Sequence, residues 1–200
     1  MKRLLYSLIV LSLCLCCLTG CKEKEDFSHI YDYDASNSPE EILKAVKEKE
    51  YVVFEESICT SGETLWESFY QSVLNKKSAS LKIAHYYTLD ETHYSEEYIE
   101  EYKDDYPMIF LGNIYYDGHQ FHYVYKVSTQ ENLDADKHYQ YLMKYTGEPT
   151  SPHSIISHYE YYVLINEPIE TWDEIERRIC SSSWDDYIDF SIIYEIVSYK

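Results

Sequence analysis

Glycine is scarce in this chain, with five in 200 residues. They form neither a Gly-x-Gly-x-x-Gly turn nor a Gly-x-x-x-x-Gly-Lys loop, which excludes the two common phosphate cradles. Gly-x-Ser-x-Gly is also missing, and with it the nucleophile elbow of the α/β-hydrolases. There is no His-Glu-x-x-His zinc helix and no EF-hand loop. Past residue 21 no Cys-x-x-Cys occurs, so a dithiol redox centre is excluded there. Basic residues are few: 17 Lys and Arg stand against 36 Asp and Glu, a net charge of −19. A surface this acidic repels nucleic acid and anionic headgroups, keeps a domain soluble and favours basic partners or cations. Long apolar runs are missing too. The longest, Leu4 to Leu18, falls short of the ~20 residues a helix needs to cross ~30 Å of hydrocarbon.

That run suits another purpose. Lys2 and Arg3 precede it as a positive head, the pattern of a secretory signal. Leu18-Thr19-Gly20-Cys21 then follows at the right distance and resembles the lipobox of bacterial lipoproteins. The resemblance implies that residues 1–20 are a signal peptide and that Cys21 carries lipid. The protein is then expected at the cell membrane, anchored on its extracytoplasmic face. Two acyl chains hold durably where one is marginal, because each buried CH₂ contributes ~0.8 kcal/mol. Lys22 stands where an inner-membrane retention aspartate would be. Losing Lys2 and Arg3 from the 17 basic residues leaves 15 against 36 acidic ones, a net charge of −21.

Setting the leader and Cys21 aside leaves two cysteines, Cys59 and Cys180. In an exported domain they can form a disulfide or stand as two separate thiols packed as small hydrophobes. Tyrosine is abundant, at 24 residues. It suits half-wet sheet faces and also protein- or carbohydrate-binding surfaces. The first reading is the plainer one.

Residues 21–37 read as a lipidated tether, since 22–37 (KEKEDFSHIYDYDASN) are polar and poor in aliphatic side chains. Residues 38–200 read as one domain. Ser38-Pro39-Glu40-Glu41 is a helix start, with the helix running to about Lys49. Tyr51–Phe54 reads as a strand. Ser61-Gly62 opens a second helix to about Asn75, in which Leu65, Trp66, Phe69, Tyr70, Val73 and Leu74 recur at helical spacing. From Ser80 the period is two, placing Leu81, Ile83, His85, Tyr87 and Leu89 on one strand face. Strands over Met108–Tyr116 and Phe121–Val127 flank the hairpin signal Asp117-Gly118. Further strands are expected over His138–Tyr145, His158–Asn166 and Phe190–Val197. Thr171-Trp172-Asp173-Glu174 opens a last helix. The acidic insert 90–105 carries Ser95 as the cap of another. Tight turns join the middle strands, which argues an α+β fold: an antiparallel sheet of five or six strands with two to four helices mainly on one face. The helix from Trp66 through the strand Leu81–Thr88 to the hairpin at Asp117-Gly118 also resembles small uncharacterised lipoproteins of Gram-positive-type bacteria. That resemblance implies no activity.

The residues that can carry chemistry are scattered. His119 and His122 invite a metal reading, but residues three apart on a strand face opposite ways, so the pair works only if His119 belongs to the turn. His85 reads as a satisfied core histidine, while His153 and His158 have no partner legible in the sequence. Asp134, Asp136, Glu148 and Glu167 lie near strand ends, and Asp185-Asp186 follow Trp184. A glycosidase-type pair must stand ~5–10 Å apart across a cleft, which sequence does not place. The acids of 90–105 read as a solvated helix face, because ligand geometry and not charge count makes a calcium site. No cofactor, metal or nucleic-acid partner is expected. The leading expectation is a non-enzymatic module that binds an envelope protein or peptide. The alternative is an envelope hydrolase using a carboxylate pair, and solute capture for a transporter comes third.

Overall fold

The computed structural model describes residues 25–200 apart from 35, 90, 91, 93, 129, 152, 153, 182, 184 and 185. Cys21, His153 and Asp185 therefore lie outside the described residues. The fold is α+β, with four helices and nine strands among the described residues.

Local sequence explains where the helices begin. α1 (Pro39–Lys47) starts with a full capping box: the Ser38 hydroxyl accepts from the Glu41 amide, and the Glu41 carboxylate accepts from the Ser38 amide. α2 (Glu63–Leu74) starts at Gly62 with φ +83°. A Cβ there would fall 2.2 Å from the Tyr51 carbonyl oxygen, so only glycine fits. α3 (Glu96–Tyr102) is capped by Ser95 and buries no residue. α4 (Trp172–Ile179) is capped by Thr171.

Six strands form one sheet in the order β2-β1-β3-β4-β5-β6: β1 (Val52–Glu55), β2 (Ile58–Ser61), β3 (Ala79–Tyr87), β4 (Met108–Tyr116), β5 (Phe121–Val127) and β6 (Ala135–Tyr139). Three more, β7 (Tyr141–Gly147), β8 (Ile156–Ile165) and β9 (Phe190–Tyr199), form a second, antiparallel sheet. The first sheet is mixed and not purely antiparallel, because β1 and β3 run parallel. The chain between them passes through β2 and α2, which supplies the crossover a parallel pair requires. The single strand expected over 138–145 is two strands in two sheets. They break at exposed Gln140, where Tyr139 turns inward to 1% exposure.

Strand alternation sets the layers. Val52 and Phe54 share a buried cluster with Trp66 and Phe69 of α2, whereas Val53 clusters with Ile42 and Val46 of α1. Successive strand residues point to opposite faces, so α1 and α2 cover opposite faces of the six-stranded sheet. The second sheet stacks on the α2 side through Tyr162, Leu164, Ile193 and Tyr194. Its far face holds Tyr161, Val163 and Ile165 against Trp172 and Ile175 of α4. Ile193 and Tyr194 both point into the middle layer because the β8–β9 register slips between Tyr162 and Val163, a bulge.

The stretch expected as a tether is folded from Glu25 onward. A 3-10 turn over Ser28–Tyr31 buries His29 and Ile30. Fully buried Asn113 donates from Nδ2 to the Asp26 carbonyl at 2.8 Å and accepts from the Ser80 hydroxyl at 2.9 Å. Ile30 is fully buried and Phe27 packs edge-on against His122 at 4.6 Å, which adds apolar contact to that hold.

Candidate functional site

The period-two face of β3 delivers His85 and Tyr87 to the layer between the sheets. Phe110 lies directly opposite His85 on β4, and Tyr125 opposite Gly112. Gly112 matters here. A Cβ at this position would meet Ile83 Cγ1 at 2.9 Å and Tyr123 Cε2 at 3.3 Å. The missing side chain leaves room for the tyrosine rings of β5. Ser191 and Ile192 of β9 close the third side of a cleft of about 320 Å³ lined also by His85, Tyr87, Phe110, Tyr123 and Tyr125.

His85 is the polar centre of this cleft. Its ring stacks on Phe54 (centroids 4.7 Å, planes 6° apart) and, more distantly, on Tyr87 (6.3 Å, 7°). Its Nδ1 is buried and has no hydrogen-bond partner. Burial pushes the imidazole down to about 4, so it is neutral at neutral pH. Burial also pushes Tyr87 up to about 12 and raises Tyr123. Aromatic residues thus line the cleft around one buried, unused hydrogen-bonding nitrogen, and its lining residues carry no formal charge at neutral pH. A neutral imidazole that no second group orients, with so low a pKa, is a poor general base. It is a good single anchor for a group that is otherwise apolar.

The expected site residues fall in several places. His119 is exposed in the hairpin turn, where its amide donates to the Asp117 carboxylate. His122 meets His138, its direct register partner on β6, and not His119. The two imidazoles stack at 4.2 Å with planes 23° apart. Asp136, two residues before His138, places Oδ1 2.7 Å from His122 Nε2, and Glu25 contacts Nδ1 of the same ring. Donor atoms of His122, Asp136 and His138 all lie within 4.8 Å of one another, so these residues could hold a metal ion. Sequence reasoning missed the trio because its one signal is the pairing register of β5 with β6.

The other expected carboxylates are spread over the fold. Asp134 accepts from the Val127 amide at 2.6 Å. Glu167 pairs with Arg178 at 3.0 Å, which holds its carboxyl below the usual range. Glu148 lines a separate cleft of about 380 Å³ with Glu170 and Asp173. Asp186 accepts from the Ser181 hydroxyl. Glu195 is half-buried, and burial raises its pKa. His158 Nε2 lies 3.3 Å from the Thr146 hydroxyl. Cys59 and Cys180 are free thiols, the first half-buried on β2 and pushed up by burial, the second exposed at the end of α4. The acids of 96–105 lie on and just beyond α3, without a buried residue among them.

No family model, curated protein or solved structure matches the chain.

Proposed function

We propose that the chain is a lipid-anchored extracytoplasmic binding module. Cys21 holds it at the cell membrane, and the cleft around His85 receives an aromatic or apolar side chain from an envelope protein or peptide. The observation that carries this reading is the cleft itself: neutral aromatic walls around one buried nitrogen without a partner. An unsatisfied buried polar atom costs about 1–3 kcal/mol, and a ligand donor or acceptor that meets it removes that cost. The lipobox residues Leu18 to Cys21 support the anchoring. Glu25 is already part of the fold, and four residues of backbone reach at most ~14 Å. A lipid on Cys21 would therefore keep the domain within about that distance of the membrane surface.

The test is a peptide-display selection on the folded domain, with counter-selection against the Phe110→Asp variant. Enrichment of peptides sharing one aromatic position, with binding lost in Phe110→Asp and weakened in His85→Ala, supports the reading. Peptides that bind both forms alike, or no enrichment, overturn it.

A further inference from the structure

We infer a zinc-class metal site on the free edge of the six-stranded sheet, built from His122, His138 and Asp136 with Glu25 behind His122. Hydrogen-bond accounting at His122 is the starting point. A neutral imidazole has one N–H, yet both ring nitrogens of His122 face carboxylate oxygens, Glu25 at Nδ1 and Asp136 at Nε2. One of those contacts needs an extra positive charge, either a proton or a metal ion.

His138 decides between them. It is stacked against His122 and brings a second imidazole nitrogen to the same place. A second lone pair is what a metal ion uses and what a proton between His122 and Asp136 does not need. The roles then separate. Glu25 accepts from Nδ1–H of His122, fixing its tautomer and ring orientation, as second-layer carboxylates do in histidine-metal sites. His122 Nε2, a ring nitrogen of His138 and a carboxylate oxygen of Asp136 are the ligands.

The donor set selects the ion. Two imidazoles and one carboxylate suit zinc and its borderline neighbours; calcium and magnesium ask for oxygen alone. Donors on a zinc ion sit 2.0–2.2 Å from the metal and so ~3.3 Å apart. The three donor atoms here are within 4.8 Å of each other. Asp136 and His138 are exposed and free to close that gap by side-chain rotation. Three protein ligands leave a fourth position of a tetrahedral ion open to solvent at the sheet edge. The site also ties Glu25 to β5, across 97 residues of sequence.

The test is calorimetric titration of zinc into the full-length chain in mild detergent, with thiols alkylated because cysteines would bind zinc on their own. One equivalent binds at neutral pH. His122→Ala and His138→Ala abolish that uptake, and Glu25→Gln weakens it ~10–100-fold. Calcium and magnesium in excess do not displace zinc. His138 is exposed, so His138→Ala keeps the metal-free melting temperature while losing the rise that zinc causes. Unchanged uptake in the His122→Ala/His138→Ala double variant, no uptake by the wild-type chain, or displacement by calcium would each overturn the assignment.

Discussion

Lowering the pH from 7 to 5 destabilises this fold by on the order of 4 kcal/mol, and two histidines, buried His29 and half-buried His85, account for the loss. His29 is 7% exposed, its Nε2 has no partner, and burial with the Lys82 charge brings its pKa down to about 4. Burial alone brings His85 down to about 4. Both start from 6.5 in the unfolded chain. Between those values the unfolded state binds more protons than the folded one, so stability rises with pH across the window. The contribution of each histidine is full above about pH 6.5, is lost as the pH falls below it, and stops changing below about pH 4. The slope approaches ~1.4 kcal/mol per pH unit for each group, or roughly 2 kcal/mol each by pH 5. Carboxylates held low by ion pairs, such as Glu55 and Glu167, lose their contribution only below about pH 4.5. Glu195 acts the other way. Its raised pKa means that the folded state takes up a proton first, which softens the loss near pH 5. Urea unfolding at pH 7, 6 and 5 measures the slope. His85→Phe keeps a ring stacked on Phe54 and removes the titration; His29→Gln removes the titration at the other site. Each removes about half of the pH dependence. A double variant with the wild-type slope would refute the assignment.

Other perturbations have equally defined outcomes. Trp66 stacks on Tyr194 at 4.3 Å and meets Tyr162 edge-on at 4.8 Å, so Trp66→Ala costs ~3–5 kcal/mol. Because that contact joins α2 to the second sheet, urea unfolding of the wild type should remain a single transition. Gly112→Ala drives a methyl into Ile83 and Tyr123. It lowers stability by ~1–3 kcal/mol and narrows the cleft, so peptide binding falls with it. Cys21→Ser releases the protein from the membrane fraction and abolishes labelling by radioactive palmitate. Retention without the cysteine would remove the anchoring proposal.

The parts of the fold legible in the sequence are those set by neighbours within about ten residues. Ser38, Ser95 and Thr171 each accept from an amide three residues on, so the helix starts are written locally. Alternation along Leu81, Ile83 and His85 places the inner face of β3, and Asp117-Gly118 fixes the β4–β5 hairpin. Elsewhere distant chain decides. The break at Gln140 divides one apolar run between two sheets. Tyr139 is held by the Ser191 hydroxyl at 2.8 Å, a residue 52 positions away. The tether docks because Asn113 holds it from 87 positions away. His85, expected as a satisfied core residue, is half-buried with a buried Nδ1 that has no partner, and no local pattern distinguishes those two states.

The same division explains why the metal cluster has no signature. A metal motif on a helix has fixed spacing because the helix turn fixes it. Across two strands, the spacing of a pair depends on the length of the loop between them. His122 and His138 are neighbours only because Phe121 pairs with Tyr139 and His122 with His138. A slip of one residue would turn His138 to the opposite face of the sheet and carry Asp136 with it, since both share that face of β6. Zinc uptake by this trio therefore reports the β5–β6 register directly. A Lys137 deletion, which shifts the register by one beyond the deletion, should leave the β4–β5 hairpin intact. It should also separate His138 from Asp136 and abolish binding. Zinc retained by the deletion variant would mean that the ligands meet by some route other than the strand pairing described.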